Sequence, residues 1–141
     1  MNIRHRLALG VILLASSPAA FAQGANNPVK IPAGQAAGPI FKDPRAKHDG
    51  GFTYFELGGS SDRKFATGVF KSGPGKEDFT SYPNDEFCYF ISGSSTLISA
   101  DGSTVTYKAG DSAFIPKGWK GRWVTSGFSK FYATYQGPEA R

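Results

Sequence analysis

Glu86 is the strongest candidate for chemistry in this sequence, because it directly precedes an apolar run that should be a buried strand. If Glu86 points inward, the two-residue period of a strand turns Cys88 and Phe90 the same way. The same alternation counted from Gly121 directs Trp123 inward. We therefore predict a ligand pocket in which Glu86 and Trp123 face each other, with Cys88 and Phe90 as the floor.

Tyr82 lies four residues before Glu86 and is expected at the rim of this pocket. Burial among aromatic groups penalises the charged form of a lone carboxylic acid, which suits Glu86 to general acid or base chemistry. Tyr82 would then be its acid partner in a proton transfer. A structural role for Glu86 is equally open, in which it only accepts hydrogen bonds from amides, a lysine or the Trp123 indole.

Short β-strands must position these residues. From Phe52 onward, β-type runs alternate with turn signals, and Asp101-Gly102 predicts a two-residue hairpin turn. No long amphipathic helical period follows the N-terminal segment, so the predicted fold class is all-β. The predicted strands cover residues 52–57, 64–71, 78–81, 86–92, 95–100, 104–108, 112–115, 121–125 and 130–135.

The N-terminus has the pattern of a secretory signal. Residues 1–22 combine a basic start, a short apolar run and Ala20-Phe21-Ala22, which predicts cleavage before Gln23 and export to the periplasm or medium. An uncleaved anchor is the alternative; after cleavage no stable membrane insertion is expected. Residues 23–50, rich in Gly, Pro and Ala, are predicted to be an extended arm, residues 51–137 a barrel and residues 138–141 a tail.

Composition limits the possible partners. Loss of Arg4 and Arg6 with the signal lowers the formal charge from +5 to +3. No basic run is interleaved with aromatic residues, so a nucleic-acid partner is not expected. Cys88 is the only cysteine, which excludes an intramolecular disulfide. In an apolar strand it is expected to act as a small buried hydrophobic residue rather than as a nucleophile.

Four segments in order resemble one family: F-A-T-G-V-F at 65–70, Y-P-N-D-E-F-C-Y-F-I-S-G at 82–93, A-G-D-S-A-F-I-P-K-G at 109–118 and G-R-W at 121–123. They are similar to the cupin superfamily, in particular the branch of (S)-ureidoglycine aminohydrolase cupin domains. The resemblance implies a single small jelly-roll barrel, a double-stranded β-helix, with a pocket at its mouth. It also implies a homodimer. It does not bring a reaction with it.

The same resemblance implies a metal site, whose ligands are mostly absent here. Glu86 matches the acidic ligand, whereas residues 79–82 contain no histidine and Gly121 stands where the last histidine is usual. His48, the one histidine after the signal, lies outside these motifs. A transition metal needs about three or four protein ligands. We therefore predict a barrel with no metal and no other cofactor.

Three functions remain open. The first is an exported cupin that binds a small polar metabolite in its barrel without catalysing an assignable reaction. The second is a lyase, isomerase or hydrolase that uses Glu86 as its acid or base. The third is an interaction module whose arm adds a strand to a partner subunit, because added strands cover exposed sheet edges.

Overall fold

The computed structural model describes residues 31–138, which fold as one antiparallel sheet curled around an apolar interior. The helices are α1 (Ala33–Ala36) and a 3₁₀ turn (Pro39–Lys42), and the strands are β1 (Lys47–Asp49), β2 (Phe52–Gly59), β3 (Phe65–Ser72), β4 (Gly75–Phe79), β5 (Asp85–Ser99), β6 (Thr104–Lys108), β7 (Ser112–Ile115) and β8 (Gly121–Tyr135). Six of the strands pair in the order β1-β2-β3-β8-β5-β6, while β4 pairs with β8 and β7 pairs with β5.

Two long strands, β5 and β8, organise the sheet. Each of them was predicted from the sequence as two separate strands, whereas in the structure β-bulges join the two halves. In β5 the pairing shifts between Phe90 and Ser92 and again between Ser94 and Ser95. A bulge adds a residue without ending the strand, and it bends the strand sharply. Each long strand therefore pairs with different short strands along its two halves: β5 pairs with β7 and then β6, and β8 pairs with β4 and then β3.

The side chains divide into an inner and an outer cluster. The inner cluster is mainly aromatic and includes Phe52, Phe70, Phe90, Trp123 and Phe128. The aromatic residues thus fill much of the barrel, as expected for an interior of this width. The outer cluster lies on the opposite side of the sheet, where part of the N-terminal segment packs.

Residues 31–46 differ from the extended arm that the sequence predicted. They form the short helix α1 and the 3₁₀ turn, and then pass into β1, which pairs with β2 of the same chain. Ile40 and Phe41 are buried in the outer cluster with Phe55 and Val69. The described part of the arm therefore packs on its own barrel, because it carries apolar residues that this face can bury. Residues 23–30 lie outside the described residues, as do the predicted signal at 1–22 and residues 139–141 of the predicted tail.

The predicted hairpin at Asp101-Gly102 is present, but its loop is longer than two residues. The last β5–β6 pair is Ile98 with Thr104, and only Gly102 in this loop has a positive φ, of 86°. Asp101 instead accepts a hydrogen bond from the Ser103 amide through its side chain. An Asp side chain stabilises such a turn without a left-handed backbone.

Gly93 of β5 and Gly127 of β8 lie in close contact where the two strands pair irregularly, and this contact should contribute to stability. Gly93 has a φ of 71°, and a Cβ there would lie 2.0 Å from the Gly127 carbonyl oxygen. We expect Gly93→Ala to lower the free energy of unfolding by about 3 kcal/mol or more, because backbone strain and a backbone clash add together. Urea denaturation of the folded domain measures this loss.

Gly102→Ala is the matched control. Gly102 also has a positive φ, but a Cβ there would meet nothing within 4 Å. Its loss should be about 1 kcal/mol, from backbone strain alone. Equal losses in the two variants would contradict the packing role of the Gly93–Gly127 contact.

Candidate functional site

Inward-facing residues on β3, β8 and β5 form three rows across the barrel interior. Cross-strand partners share one face of a sheet, so the register defines each row. The rows are Phe70–Lys130–Phe90, Gly68–Tyr132–Cys88 and Ala66–Thr134–Glu86. Lys130 and Glu86 therefore start two rows apart, and the long lysine side chain spans the Tyr132 row between them.

Glu86 is the centre of a buried polar network. Lys130 donates to Glu86 Oε1 at 2.5 Å, and the Tyr82 hydroxyl donates to Glu86 Oε2 at 2.6 Å. The side chains of Lys130 and Glu86 are only 3% and 7% exposed. A buried ion pair persists only when each charge has a close partner, and these contacts supply them.

Aromatic rings surround the ammonium group of Lys130. Its Nζ lies 4.7 Å from the Trp123 ring centroid, 5.5 Å from that of Phe70 and 5.7 Å from that of Phe128. Ring faces carry partial negative charge and attract a cation at this range. The rings therefore compensate part of the hydration that Lys130 lost on burial.

Two expectations about this site are wrong. Glu86 is not a lone acid, because Lys130 neutralises it from the next long strand. Tyr82 is not at the rim: it is 4% exposed, and Trp119 and Phe79 pack against its ring. Burial raises the pKa of Tyr82 well above its ordinary value, and the adjacent Glu86 carboxylate raises it further. Tyr82 therefore holds its proton and donates it to the hydrogen bond with Glu86.

The predicted ligand contacts Glu86, Cys88, Phe90 and Trp123 all lie inside the barrel, each 6% exposed or less. Lys130 lies between Glu86 and Trp123, since its Nζ contacts both. Cys88 is fully buried, and burial raises the pKa of its thiol to about 11. Because these four side chains are almost completely buried, a ligand could contact little of their surface.

Sequence reasoning missed three inner residues: Lys130, Tyr132 and Glu56. Glu56 pairs with Gly68, which places it at the β2 end of the Tyr132 row. Because Gly68 lacks a side chain, the Tyr132 hydroxyl lies across it, 2.6 Å from where a Cβ would be. The alternation of residues 130–135 could have grouped Lys130 with Tyr132, but lysine is usually exposed, so the pattern favoured the wrong face.

Among residues 31–138, four buried side-chain polar atoms have no hydrogen-bond partner. They are Glu56 Oε1, Ser95 Oγ, Trp123 Nε1 and the Tyr132 hydroxyl. Burial raises the pKa of the Glu56 carboxyl, and a lysine, Lys47, partly offsets this. Burial also raises the pKa of Tyr132, and Glu56 adds to the effect. Tyr132 is therefore a hydrogen-bond donor at neutral pH.

His48 and the surface residues Arg122 and Lys117 lie outside this site. His48 is exposed on β1, where its Nδ1 is 3.0 Å from the Thr53 hydroxyl. Arg122 binds Asp78 on the surface, and the Lys117 ammonium donates to the Gln136 carbonyl. Neither His48 nor these basic residues takes part in the buried network.

The antiparallel barrel has the all-β topology that the sequence predicted, and the family comparison confirms the predicted cupin fold class. The profile of the EutQ-like cupin domain matches residues 59–132, about half of the sequence and most of the barrel. The chain therefore belongs to the EutQ-like cupin family.

Solved structures show the same fold. EutQ of Clostridium difficile is 23% identical, with a TM-score of 0.51 over 68% of this chain and 73% of that one. A protein of unknown function from Rhizobium leguminosarum is 19% identical, with a TM-score of 0.58 over 79% of this chain and 99% of that one. A DUF861 family protein from Pseudomonas syringae pv. tomato is 24% identical, with a TM-score of 0.57 over 65% of this chain and 40% of that one.

The comparison with curated proteins gives no match. Between residues 31 and 138, none of the helices has the length and apolarity needed to cross a bilayer.

The residues of the barrel do not fit the metal that cupin resemblance implies. A side chain at Gly121 would meet the Trp119 ring at 2.5 Å and the Ile98 carbonyl oxygen at 2.3 Å. In the described part of the chain, no three residues among His, Cys, Asp and Glu come together as a ligand set. Both oxygens of Glu86 already accept hydrogen bonds. The arrangement instead pairs the acid with an internal ammonium group.

The ion pair gives a second prediction. Lys130→Met should lower the free energy of unfolding by about 3–5 kcal/mol, because it leaves the Glu86 charge buried without its cation. The double variant Lys130→Met/Glu86→Gln should lose clearly less than the sum of its two single variants. Urea denaturation of all four proteins in this cycle gives the coupling energy.

Arg122→Met is the control for removal of a paired cation. Arg122 and Asp78 form an exposed pair, with side chains 48% and 66% exposed. Solvent screens such pairs, so this variant should change stability little. Additive losses at Lys130 and Glu86 would contradict the coupling of the buried pair.

Cys88 supplies a third prediction. The buried thiol should react with a disulfide reagent at pH 8 at least a hundredfold more slowly in the native protein than in guanidinium, because only exposed thiolate reacts. Its pKa is raised from 9.0 to about 11 on folding, so the native state retains this proton more tightly. The corresponding contribution to stability therefore falls as the pH rises from about 9 to about 11. Rapid native labelling would show that solvent reaches Cys88.

Proposed function

We propose that this protein is an exported EutQ-like cupin that binds a small polar molecule inside its barrel without using a metal. The observation that carries the proposal is the set of unpartnered inner atoms on Glu56, Trp123 and Tyr132. Buried polar groups normally have hydrogen-bond partners, and unpaired ones cost free energy. A ligand that pairs with these atoms would recover that cost on binding.

The chemistry of these atoms selects the ligand. Glu56 offers an acceptor, while Trp123 N–H and the Tyr132 hydroxyl offer donors. A matching group presents a donor beside an acceptor, as a neutral carboxamide does. An anionic carboxylate lacks the donor and would be repelled by Glu56. We therefore propose an uncharged, amide-like polar group as the part of the ligand that enters the barrel.

The location of Glu56 favours access from the β2 side. Tyr54 and Glu56 are inner-face residues that are only half-buried, in contrast to Glu86, Cys88 and Phe90. A ligand approaching from this side would reach Glu56 and Tyr132 before the central ion pair. Glu86, Cys88 and Phe90 then support the ligand indirectly, and Trp123, another predicted contact, has an Nε1–H without a partner in the interior.

The second reading, catalysis by Glu86, has weaker support. Lys130 and Tyr82 each engage one oxygen of its carboxylate, which makes Glu86 a poor free base. The raised pKa of Tyr82 also makes it a reluctant proton donor to a substrate. The finer resemblance to (S)-ureidoglycine aminohydrolase domains therefore adds no reaction to the proposal. Export rests on the signal-like residues 1–22.

A thermal-shift comparison of small probes tests the proposal. With the chain from Gln23 to Arg141, acetamide and other small carboxamides at about 10 mM should raise the melting temperature by a few degrees, whereas acetate should not. A ligand at ten times its Kd stabilises a folded protein by about 1.4 kcal/mol. Glu56→Gln should reduce the shift, because the amide provides a weaker, uncharged acceptor.

Tyr132→Phe and Tyr135→Phe form a matched pair of variants. Both remove one hydroxyl from β8, but Tyr132 faces the interior and Tyr135 is 46% exposed on the outside. Only Tyr132→Phe should abolish the carboxamide shift. Equal responses of these variants, or equal stabilisation by acetate and acetamide, would refute the proposed site.

A further inference from the structure

Lys47 on β1 faces the same side of the sheet as the barrel interior. It is the cross-strand partner of Tyr54, and such partners share one face. Tyr54 packs against the inner cluster, and the Lys47 Nζ lies 5.8 Å from the centroid of its ring. Lys47 is exposed, whereas Tyr54 and Glu56 are half-buried. We call Lys47, Tyr54 and Glu56 the entrance, because they lie between solvent and the interior on the β2 side.

The positive charge of Lys47 has no carboxylate in contact with it. In the described part of the chain, the cations that form salt bridges are Arg45, Arg122 and Lys130. The charge of Lys47 lowers the pKa of Glu56, against the larger opposite effect of burial, but these two groups do not form a salt bridge. An unpaired cation beside a binding site attracts anionic ligands. The entrance therefore has an electrostatic preference that the uncharged interior site lacks.

The register fixes the distance between this cation and the interior atoms. Tyr54 and Glu56 are two residues apart on β2, which separates their rows by about 7 Å. Glu56 shares its row with Tyr132, and Lys47 lies at the edge of the next row. A group bound to Glu56 and Tyr132 is thus one row away from the Lys47 ammonium. A short aliphatic chain covers this distance.

We propose that Lys47 selects ligands in which the amide that enters the barrel is joined by a short chain to a single carboxylate. The monoamide of a small dicarboxylic acid has this structure. The inference rests on the proposed function, since Glu56 and Tyr132 hold the amide end. The carboxylate end pairs with Lys47 at the entrance. Lys47 is then a specificity-determining residue, which distinguishes between amides that all fit the interior site.

The other charges near the entrance favour a carboxylate over a phosphate. Asp49 pairs with Phe52, so it lies on the same face as Lys47, one row further along. Acidic residues therefore lie in the rows on both sides of the Lys47 row, Asp49 on one side and Glu56 on the other. One ammonium group balances one carboxylate, but a phosphate carries about −1.5 to −2 charges at neutral pH. The excess negative charge would be repelled by these acids.

Binding of glutaramate and glutaramide to residues 23–141 tests the proposal by titration calorimetry. Both compounds have the same length and one amide end, but the other end is a carboxylate in glutaramate and a second amide in glutaramide. In about 20 mM salt, we expect glutaramate to bind about three- to fivefold more tightly, the effect of a partly exposed ion pair. About 500 mM salt should reduce this preference, because salt screens exposed charges.

Lys47→Met should remove the preference for glutaramate, and Lys71→Met is its matched control. Lys71 is also exposed and lies on the neighbouring strand β3, but it pairs with Thr53 on the outer face. Both variants change the net charge equally, and neither removes a buried group. Lys71→Met should therefore retain the preference.

The outcomes separate this inference from the proposed function. Equal binding of glutaramate and glutaramide, or an equal loss of preference in Lys47→Met and Lys71→Met, would overturn the role of Lys47 and leave the interior amide site in place. If neither glutaramide nor acetamide binds, the proposed function fails and this inference fails with it. Glutarate has a carboxylate at each end and should bind least tightly. Its binding as tightly as glutaramate would show that no amide is recognised.

Discussion

The buried pair between Lys130 and Glu86 is the interaction on which the interior depends. Lys130 begins beside Phe90, two rows from Glu86, so its side chain must pass through the middle of the barrel to reach the carboxylate. The surrounding aromatic rings, the Tyr82 hydroxyl and the pairing of β5 with β8 all accommodate this path. Removing either charge would leave the other without compensation in an apolar environment.

This pair also explains how the barrel differs from the metal-binding cupins that it resembles. The acid of the motif is retained, but an ammonium group from β8 provides its positive partner, and the Trp119 ring fills the space beside Gly121. Unlike a metal ion, the Lys130 ammonium group belongs to the chain itself and is always present beside Glu86. Under the proposed function, an incoming molecule would bind on the Glu56–Tyr132 side of the interior, where buried polar atoms lack partners.

Much of the fold and part of this interior could be predicted from the sequence. Strand alternation placed Glu86, Cys88 and Phe90 on one face, and the turn and cupin motifs indicated an all-β barrel. Lys130, Tyr132 and Glu56 were missed because local patterns carry no information about diagonal contacts between strands. In β8, counting in twos from Trp123 reaches Phe131, Ala133 and Tyr135, yet the structure turns Lys130, Tyr132 and Thr134 inward. The irregular pairing near Gly127 reverses the parity.

That reversal has a consequence for how such a chain can evolve. A strand can accept many point substitutions while its inner and outer positions stay fixed. Losing one residue at the Gly127 bulge would leave regular alternation between Thr125 and Phe128, so Lys130 would still face inward and the strand would lose only its bend. Losing Ser129 with the bulge kept would instead exchange the two sides, bringing Lys130 into solvent and the ring of Phe131 into a filled interior. Single-residue gaps in lineages of this barrel should therefore fall at the bulge and not in the part of β8 that follows it.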